Sequence, residues 1–395
     1  MTDPGRPRLI VLATTYPRWR GDHEPGFVHE LARRLTGRFD VVAVVPHAKG
    51  AKRREILDGV SVVRYRYGAD RWETLVQDGG ITTHLRRSPW KWLLVPGFFL
   101  MQWLTARRFA DDRTVVHAHW IVLPGIVARL LRRPYLVTSH GADLFALRGR
   151  WPVRLKRWVM ARASATTVVS RSMLPLATAL GGRAVPVVAP MGVDLATRFT
   201  PDAAAAREPD HLLFVGRLVE KKGIDILIDA LPAIRASRPS VRLSIVGHGP
   251  LLPSLQARVA QRGLSSAVTF VGPVPSASLP AWYRRASLFV APFRPADSGD
   301  QEGLGLVLVE ALGCGCPVVT TDVPAVGDVA DDMAGVTRVA AGQADALAQA
   351  VLARLEAGPS MGPLATRDLL LERFDWDRVA SRYAGLLDGV GSAPP

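Results

Sequence analysis

Two glutamates eight positions apart, Glu302 and Glu310, stand in the stretch "DQEGLGLVLVEALGCGCPVV" (300–319), with two glycines and an apolar run between them. A charged residue in so apolar a helix is costly unless it has a partner. A carboxylate accepts two hydrogen bonds, as a sugar diol would supply. The other reading of this spacing is a salt-bridged Glu310 and a surface Glu302. Gly303, Leu304 and Gly305 fall where the helix should begin. A helix start offers N–H groups and a positive dipole that suit phosphate, and glycines let a ligand approach the backbone.

Arg217 and Lys222 lie in "LLFVGRLVEKKGIDILIDAL" (212–231), where a strand ends in Gly216 and a helix starts near Ile224. Two cations on such a loop suit a diphosphate; two solvated surface cations are the alternative. Gly247 and Gly249 end the next strand in "IVGHGP". In the first half, "TVVHAHW" places His117 and His119 on one face of a strand. Two histidines at that spacing suit a metal, but no third ligand is near in sequence. His119, at the strand's carboxyl end, is expected to point toward a ligand. His140, in "VTSHGAD", ends the following strand, and Gly26 and Phe27 lie where the first strand's loop enters a helix.

The elements that must hold these residues are short β-branched runs alternating with helical patterns. In the first half the runs are 9–13, 41–46, 60–63, 115–118, 135–138, 166–170 and 185–189. In the second they are 211–216, 241–247, 268–272, 288–292, 317–321 and 335–339. Continuous rather than alternating apolar runs indicate parallel strands buried on both faces. The fold class is therefore α/β, with two Rossmann-like doubly wound domains facing a cleft. A chain of 395 residues exceeds what one core usually supports. The expected domains are 1–198 and 205–372, joined by an Ala- and Pro-rich stretch, with a helix over 373–390 crossing back to the first domain.

Net charge is +15. Residues 1–200 hold 32 Lys/Arg and 14 Asp/Glu, and residues 201–395 hold 18 and 21, so the first half carries +18 and the second −3. That asymmetry points to an anionic partner for the first half. Residues 86–108, "RRSPWKWLLVPGFFLMQWLTARR", have an uncharged centre with basic pairs at both ends. Interrupted by Pro96–Gly97, the run is too short to span a bilayer. Trp90, Trp92 and Trp103, with Arg86, Arg87, Lys91, Arg107 and Arg108, fit peripheral contact with an anionic membrane; a core helix is the alternative. The basic residues show little aromatic interleaving elsewhere and no recognition motif, so no nucleic-acid partner is expected. The only cysteines, Cys314 and Cys316, exclude a disulfide framework and are expected to be small buried residues. With no export-sized apolar segment at the N-terminus, the expected location is cytoplasmic, peripheral on the inner face of the cell membrane.

Taken together, these motifs resemble the retaining GT-B glycosyltransferases of family 4 over nearly the whole chain. The carriers are "HAHW" with Pro124–Gly125, "SHGADLFAL", "PMGVD", "GRLVEKKGID", "GHGP" and the Glu302–Glu310 motif. The resemblance implies that Arg217 and Lys222 bind the donor diphosphate, helped by Gly303, Leu304 and Gly305. It implies that Glu302 contacts the donor sugar, Glu310 the ribose hydroxyls, and Gly247 and Gly249 the nucleotide. His119 would lie near donor sugar and acceptor, with Gly26 and His140 in the acceptor and donor loops. The loop that often carries paired glycines has only Gly26 here. The implied donor is a UDP- or GDP-sugar, the acceptor a glycan or lipid-linked saccharide, and no metal cofactor is expected. A sugar-nucleotide epimerase shares the architecture and is the alternative; it needs acid/base carboxylates, and Asp143 is the candidate in the first half.

Overall fold

Near-continuous Val, Ile and Leu runs leave a strand no solvent-facing side, so both faces must be covered by helices. The computed structural model describes residues 5–22, 26–76, 81, 84–85, 88–358 and 364–392. It divides into two units, Met1–Gly192 with Trp376–Pro395, and Val193–Asp375.

The sheet of the first unit contains β1 (Arg8–Leu12), β2 (Asp40–Pro46), β3 (Arg54–Leu57), β4 (Val60–Tyr65), β5 (Val115–His119), β6 (Tyr135–Ser139), β7 (Ala165–Val168) and β8 (Val187–Val188). Its order is β3-β4-β2-β1-β5-β6-β7-β8. All pairings are parallel except β3 with β4. The register is tight at the centre, where Val11 of β1 lies between Ala43 of β2 and His117 of β5. Every expected run became a strand, and β3 is an addition. Only Leu57 of "REIL" is buried, so β3 had no apolar signature. Its turn did leave one: Asp58 and Gly59 both adopt positive φ, 47° and 85°, the Asp-Gly hairpin pattern.

Right-handed crossovers put the helices Leu94–Arg107, Pro124–Leu130 and Arg150–Met160 side by side on one face. The chain reverses direction across the sheet after β1, so the helix Phe27–Leu35 covers the opposite face beside the last helix, Trp376–Ser392. That last helix is fastened by Tyr383, fully buried, whose hydroxyl donates to the Ala189 carbonyl at 2.8 Å. The Tyr383 ring stacks on His117 at 5.4 Å. Gly192 is obligatory beside it, since a Cβ there would stand 2.6 Å from the Trp376 ring.

Of segment 86–108 the structure shows a core helix with an exposed aromatic turn at its start. A 3₁₀ turn, Pro89–Leu93, leads into the helix Leu94–Arg107, whose inner side buries Phe98, Gln102 and Ala106. Trp90, Trp92 and Leu93 at its start are exposed. Lys91 is not available as a surface anchor: it is buried, and its Nζ donates to the Thr74 carbonyl at 3.2 Å. Arg86 and Arg87 lie outside the described residues. Among the described residues no helix is long and apolar enough to cross a membrane.

The second unit holds β9 (Glu208–Val215), β10 (Arg242–Val246), β11 (Val268–Gly272), β12 (Ala286–Ala291), β13 (Val318–Thr321) and β14 (Val336–Val339). The order is β11-β10-β9-β12-β13-β14, and all pairings are parallel. Leu212, Phe214, Ile245, Leu288 and Val290 from the strands meet Ile224, Leu227 and Leu231 of the helix Ile224–Ser237 in one core. Cys314 and Cys316 are free and buried, and burial pushes their thiols up to about 12 and about 11.

Tyr383→Phe removes the hydroxyl that reaches the Ala189 carbonyl from the last helix, so a loss of about 1–2 kcal/mol is expected. Tyr383→Ala, which also empties the contact with His117, should cost about 3–5 kcal/mol. Urea denaturation of the two variants checks both values.

Candidate active site

In both sheets the strand order reverses once, between β1 and β5 and between β9 and β12. Loops diverge at such a point and leave a crevice beyond the carboxyl ends of the strands. The residues singled out from the sequence collect at these two places.

In the second unit, the loop after β9 carries Gly216, Arg217 and a 3₁₀ turn, Glu220–Lys222, before Gly223 caps the helix Ile224–Ser237 in the left-handed conformation. The loop after β12 runs from Pro292 to Gly305, which caps the helix Leu306–Gly313 with φ 83°. The two loops touch backbone to backbone. A Cβ on Gly223 would fall 1.8 Å from the Pro292 carbonyl oxygen. Gly247, at the end of β10, is equally constrained, since a Cβ would fall 2.0 Å from the Gly216 oxygen. Gly249 packs the same way against Leu218, at 2.5 Å. These two glycines are thus required by loop-on-loop packing.

That approach brings Lys222 and Glu302 together. Lys222 Nζ lies 2.7 Å from Glu302 Oε2, and both side chains are only 13 % exposed. The ammonium also sits 4.7 Å from the centre of the Phe293 ring. Burial by itself would raise the Glu302 carboxyl. Lys222, then Lys221, and the N–H of Gly303 outweigh it and hold the group down at about 2. Lys221 is fixed in turn by Asp300 at 3.1 Å and the Gln301 carbonyl at 3.0 Å. Arg217 is exposed on the same loop.

Glu310 has the opposite fate. It lies in the first turns of the Leu306–Gly313 helix, and burial raises it to about 7 against the pull of Tyr283, Lys222 and Arg198. Its partner is the Tyr283 hydroxyl, which donates to Oε2 at 2.8 Å. Tyr283, on the helix Leu279–Arg285, left no mark in the sequence pattern: it is one buried aromatic among many. Lys221 was equally silent, as one of two adjacent lysines.

In the first unit, β5 presents His117 and His119 on one side, ring centres 4.1 Å apart. His119 Nδ1 lies 3.0 Å from His140 Nε2, and the two rings stack. His117 Nε2 is engaged by the Thr138 hydroxyl at 2.8 Å. Among the described residues, His119 Nε2 and His117 Nδ1 are buried without hydrogen-bond partners. Burial lowers all three, and repulsion from neighbouring imidazoles adds to the fall of His117 and His119; His117 and His140 fall to about 3, so the cluster is uncharged at neutral pH. Phe27, next to Gly26 at the start of its helix, packs on His140 at 4.9 Å and on Trp120 at 6.2 Å. Trp120 and Leu123 adopt positive φ, 81° and 64°, a strained turn after β5. Asp143 stabilises that turn: Ile121 N–H donates to it at 2.7 Å and the Ser139 hydroxyl at 2.5 Å. Residues 23–25, beside Gly26, lie outside the described residues. Asp70, Glu73 and His47 come close enough to share a cation, yet Arg66 already pairs with both carboxylates.

Comparison with known proteins agrees with this layout. Residues 27–197 match the profile described as Glycosyltransferase Family 4, and residues 209–357 match Glycosyl transferases group 1. A GDP-mannose-dependent alpha-(1-6)-phosphatidylinositol monomannoside mannosyltransferase of Mycolicibacterium smegmatis is 36% identical over 58% of this chain. The match spans 63% of that relative's length. A phosphatidyl-myo-inositol mannosyltransferase of Mycobacterium leprae is 30% identical, over 71% of this chain and 75% of its own. Among solved structures, sucrose-phosphate synthase of Thermosynechococcus elongatus superposes with a TM-score of 0.78 at 21% identity, covering 98% of this chain and 100% of the other. Anabaena HepE with UDP-glucose gives 0.72 at 18% identity, covering 97% and 100%. At such identities these structures speak to the fold, which is GT-B.

Lys222→Met would strand a buried carboxylate, at an expected cost of about 3–5 kcal/mol. Adding Glu302→Gln should return much of that loss, as read by denaturant midpoints. Glu302 is depressed from its ordinary 4.5 to about 2. Its stabilising contribution is therefore complete above pH 4.5 and drains away as pH falls toward 2. Glu302→Gln should flatten that limb of the stability profile.

Proposed function

From the premise that the chain belongs to glycosyltransferase family 4, we propose that it moves a sugar, with retention at the anomeric carbon, from a nucleoside diphosphate sugar to a hydroxyl of a lipid-linked or polysaccharide acceptor. The observation that carries this reading is the buried Lys222–Glu302 pair at the reversal point of the second sheet. A lysine so placed can turn from the carboxylate to an incoming diphosphate, and Glu302, released, can accept hydrogen bonds from the sugar. Arg217, on the same loop, adds a second cation. As the bond from the anomeric carbon to the diphosphate breaks, negative charge grows on the leaving oxygen, where these cations stand ready. The bond from the acceptor oxygen forms on the same face of the sugar, and the acceptor's proton passes to the departing phosphate. In this reading lysine and arginine, with no metal, meet the leaving charge. His119, neutral and with Nε2 unoccupied among the described residues, serves as a hydrogen-bond partner to sugar or acceptor and not as a cation. Gly26 and His140 belong to the loops that shape this side.

Glu310 is assigned to the ribose diol. Gly247 and Gly249 keep the neighbouring loop low enough for the nucleotide, and Gly303, Leu304 and Gly305 bring the helix start beside the phosphates. GDP-mannose, the donor named for the mycobacterial relative, heads the donors to be tried, with UDP-sugars beside it. A lipid acceptor, as in those relatives' names, accords with the basic first half, and the exposed Trp90 and Trp92 of segment 86–108 support contact with an anionic membrane on its inner face. Both Asp143 oxygens being engaged by Ser139 and Ile121 supports the transferase over the epimerase reading.

A thermal-shift panel of nucleotide sugars identifies the donor, because a ligand of the folded state raises the melting temperature. With that donor, Lys222→Ala and Glu302→Ala should each reduce transfer by about 10²–10³-fold. Near-normal turnover in both would refute the assignment. Glu310, raised to about 7, becomes a full carboxylate only above that pH. Donor affinity measured by calorimetry should therefore rise between pH 6 and pH 8, and Glu310→Gln should abolish the rise.

A further inference from the structure

Six tryptophans of the first unit remain well exposed: Trp19 (44%), Trp72 (43%), Trp90 (50%), Trp92 (60%), Trp151 (77%) and Trp158 (38%). Scattered exposed apolar residues need no explanation, but these are not scattered. Trp19 lies on the chain leaving β1, Trp72, Trp90 and Trp92 on the chain leaving β4, and Trp151 on the chain leaving β6. Helices of such a sheet run antiparallel to the strands, so their first residues lie at the strands' carboxyl ends. Trp151 is in the first turn of its helix, Trp92 just before its own, and exposed Leu93 and Leu147 accompany them. Only Trp158, the least exposed, is in a last turn, at the other end. Five of six exposed indoles thus ring the one end of the sheet where His119 and His140 stand.

Three of these five indoles, Trp19, Trp72 and Trp151, have an arginine over the ring. Arg64 donates to the carbonyls of Pro17 and Arg18, which fixes the Trp19 loop. Arg18, paired with Asp22 at 2.6 Å, lies 4.5 Å over the Trp19 ring. The Trp72 turn is tied to the end of β2 by the His47–Glu73 contact at 2.5 Å, and Arg71 lies 5.0 Å over its ring. Arg154 covers Trp151 at 5.5 Å. Acids near this end are neutralised: Asp22 by Arg18, and Asp70 and Glu73 by Arg66. Residues 121–192 contain eleven Lys/Arg and a single acid, the buried Asp143. Arg150, Arg154 and Arg157 form no ion pair among the described residues and are exposed.

We propose that this rim of tryptophans, three of them arginine-backed, docks the first unit on an anionic lipid bilayer, with the carboxyl end of its sheet toward the headgroups. Indoles prefer the membrane interface, and guanidinium groups meet the negative headgroups beside them. The inference rests on the membrane contact proposed above and changes its site. Segment 86–108 contributes only its first turn, while Arg107 and Arg108 lie at the far end of the helix, away from the lipid.

Sedimentation of the full chain with phosphatidylglycerol-containing vesicles tests this, with folding of each variant checked by circular dichroism and melting temperature. The double variant Trp19→Ala/Trp151→Ala should weaken binding at least about tenfold. Arg107→Gln/Arg108→Gln and Trp158→Ala should each stay within about twofold, and phosphatidylcholine vesicles should bind far less. If the arginine variant loses binding while the tryptophan variant keeps it, the rim is overturned and the contact through residues 86–108 stands. If wild-type protein ignores anionic vesicles, both fall. Equal loss from Trp158→Ala and from Trp19→Ala/Trp151→Ala removes the orientation and overturns the proposal.

Discussion

A carboxylate taken out of water must find a cation, and much of the second unit is arranged around one such meeting. Lys222 and Glu302 come from loops 80 positions apart in sequence, and they touch because β9 and β12 are neighbours whose crossovers run to opposite sides. The loops can close on each other only because Gly223 has no Cβ to strike the Pro292 carbonyl. Phe293 supplies the wall on which the ammonium rests, and Asp300 occupies Lys221 so that the neighbouring lysine is left for Glu302. Removing either member of the Lys222–Glu302 pair would leave its partner's charge without compensation, a costly state for a side chain so little exposed.

The same logic separates the two glutamates. Eight residues apart and both buried, they differ because one faces an ammonium and the other a phenol. Glu302 is held ionised, and Glu310 is left balanced near neutrality. A charged acceptor beside a group that changes charge with its surroundings gives the site one fixed and one responsive end. In the first unit the polar interior is instead neutral. Three imidazoles stack without a carboxylate among them, and burial keeps them uncharged. Positive charge is displaced to the surface, where the arginines lie over indoles.

Much of the architecture was legible in the sequence. Parallel strands buried on both faces favour apolar runs, and thirteen of the fourteen strands fall where the sequence shows a short apolar or β-branched run. β3 lacks that run because an edge strand with one polar face has no need of it, although Asp58-Gly59 signalled its turn. Glycines at strand ends were legible too, since close backbone approach leaves no alternative residue. Pairings were not. Nothing in the local pattern links Lys222 to Glu302 or Tyr283 to Glu310. Lys91 looked like part of a basic surface cluster and is buried beneath it, held by a backbone carbonyl.

By itself, then, the sequence determined the class of sheet, the places where strands give way to loops, and the residue types gathered at those places. These follow from periodicity and backbone sterics, which act over a few neighbouring residues. Only the tertiary structure decided which cation neutralises which carboxylate, which glutamate stays protonable, and which aromatic rings face solvent at one end of a sheet. Those outcomes depend on desolvation and on Coulomb interactions between groups tens to hundreds of positions apart. Strand order brings such groups together, and local sequence does not encode it.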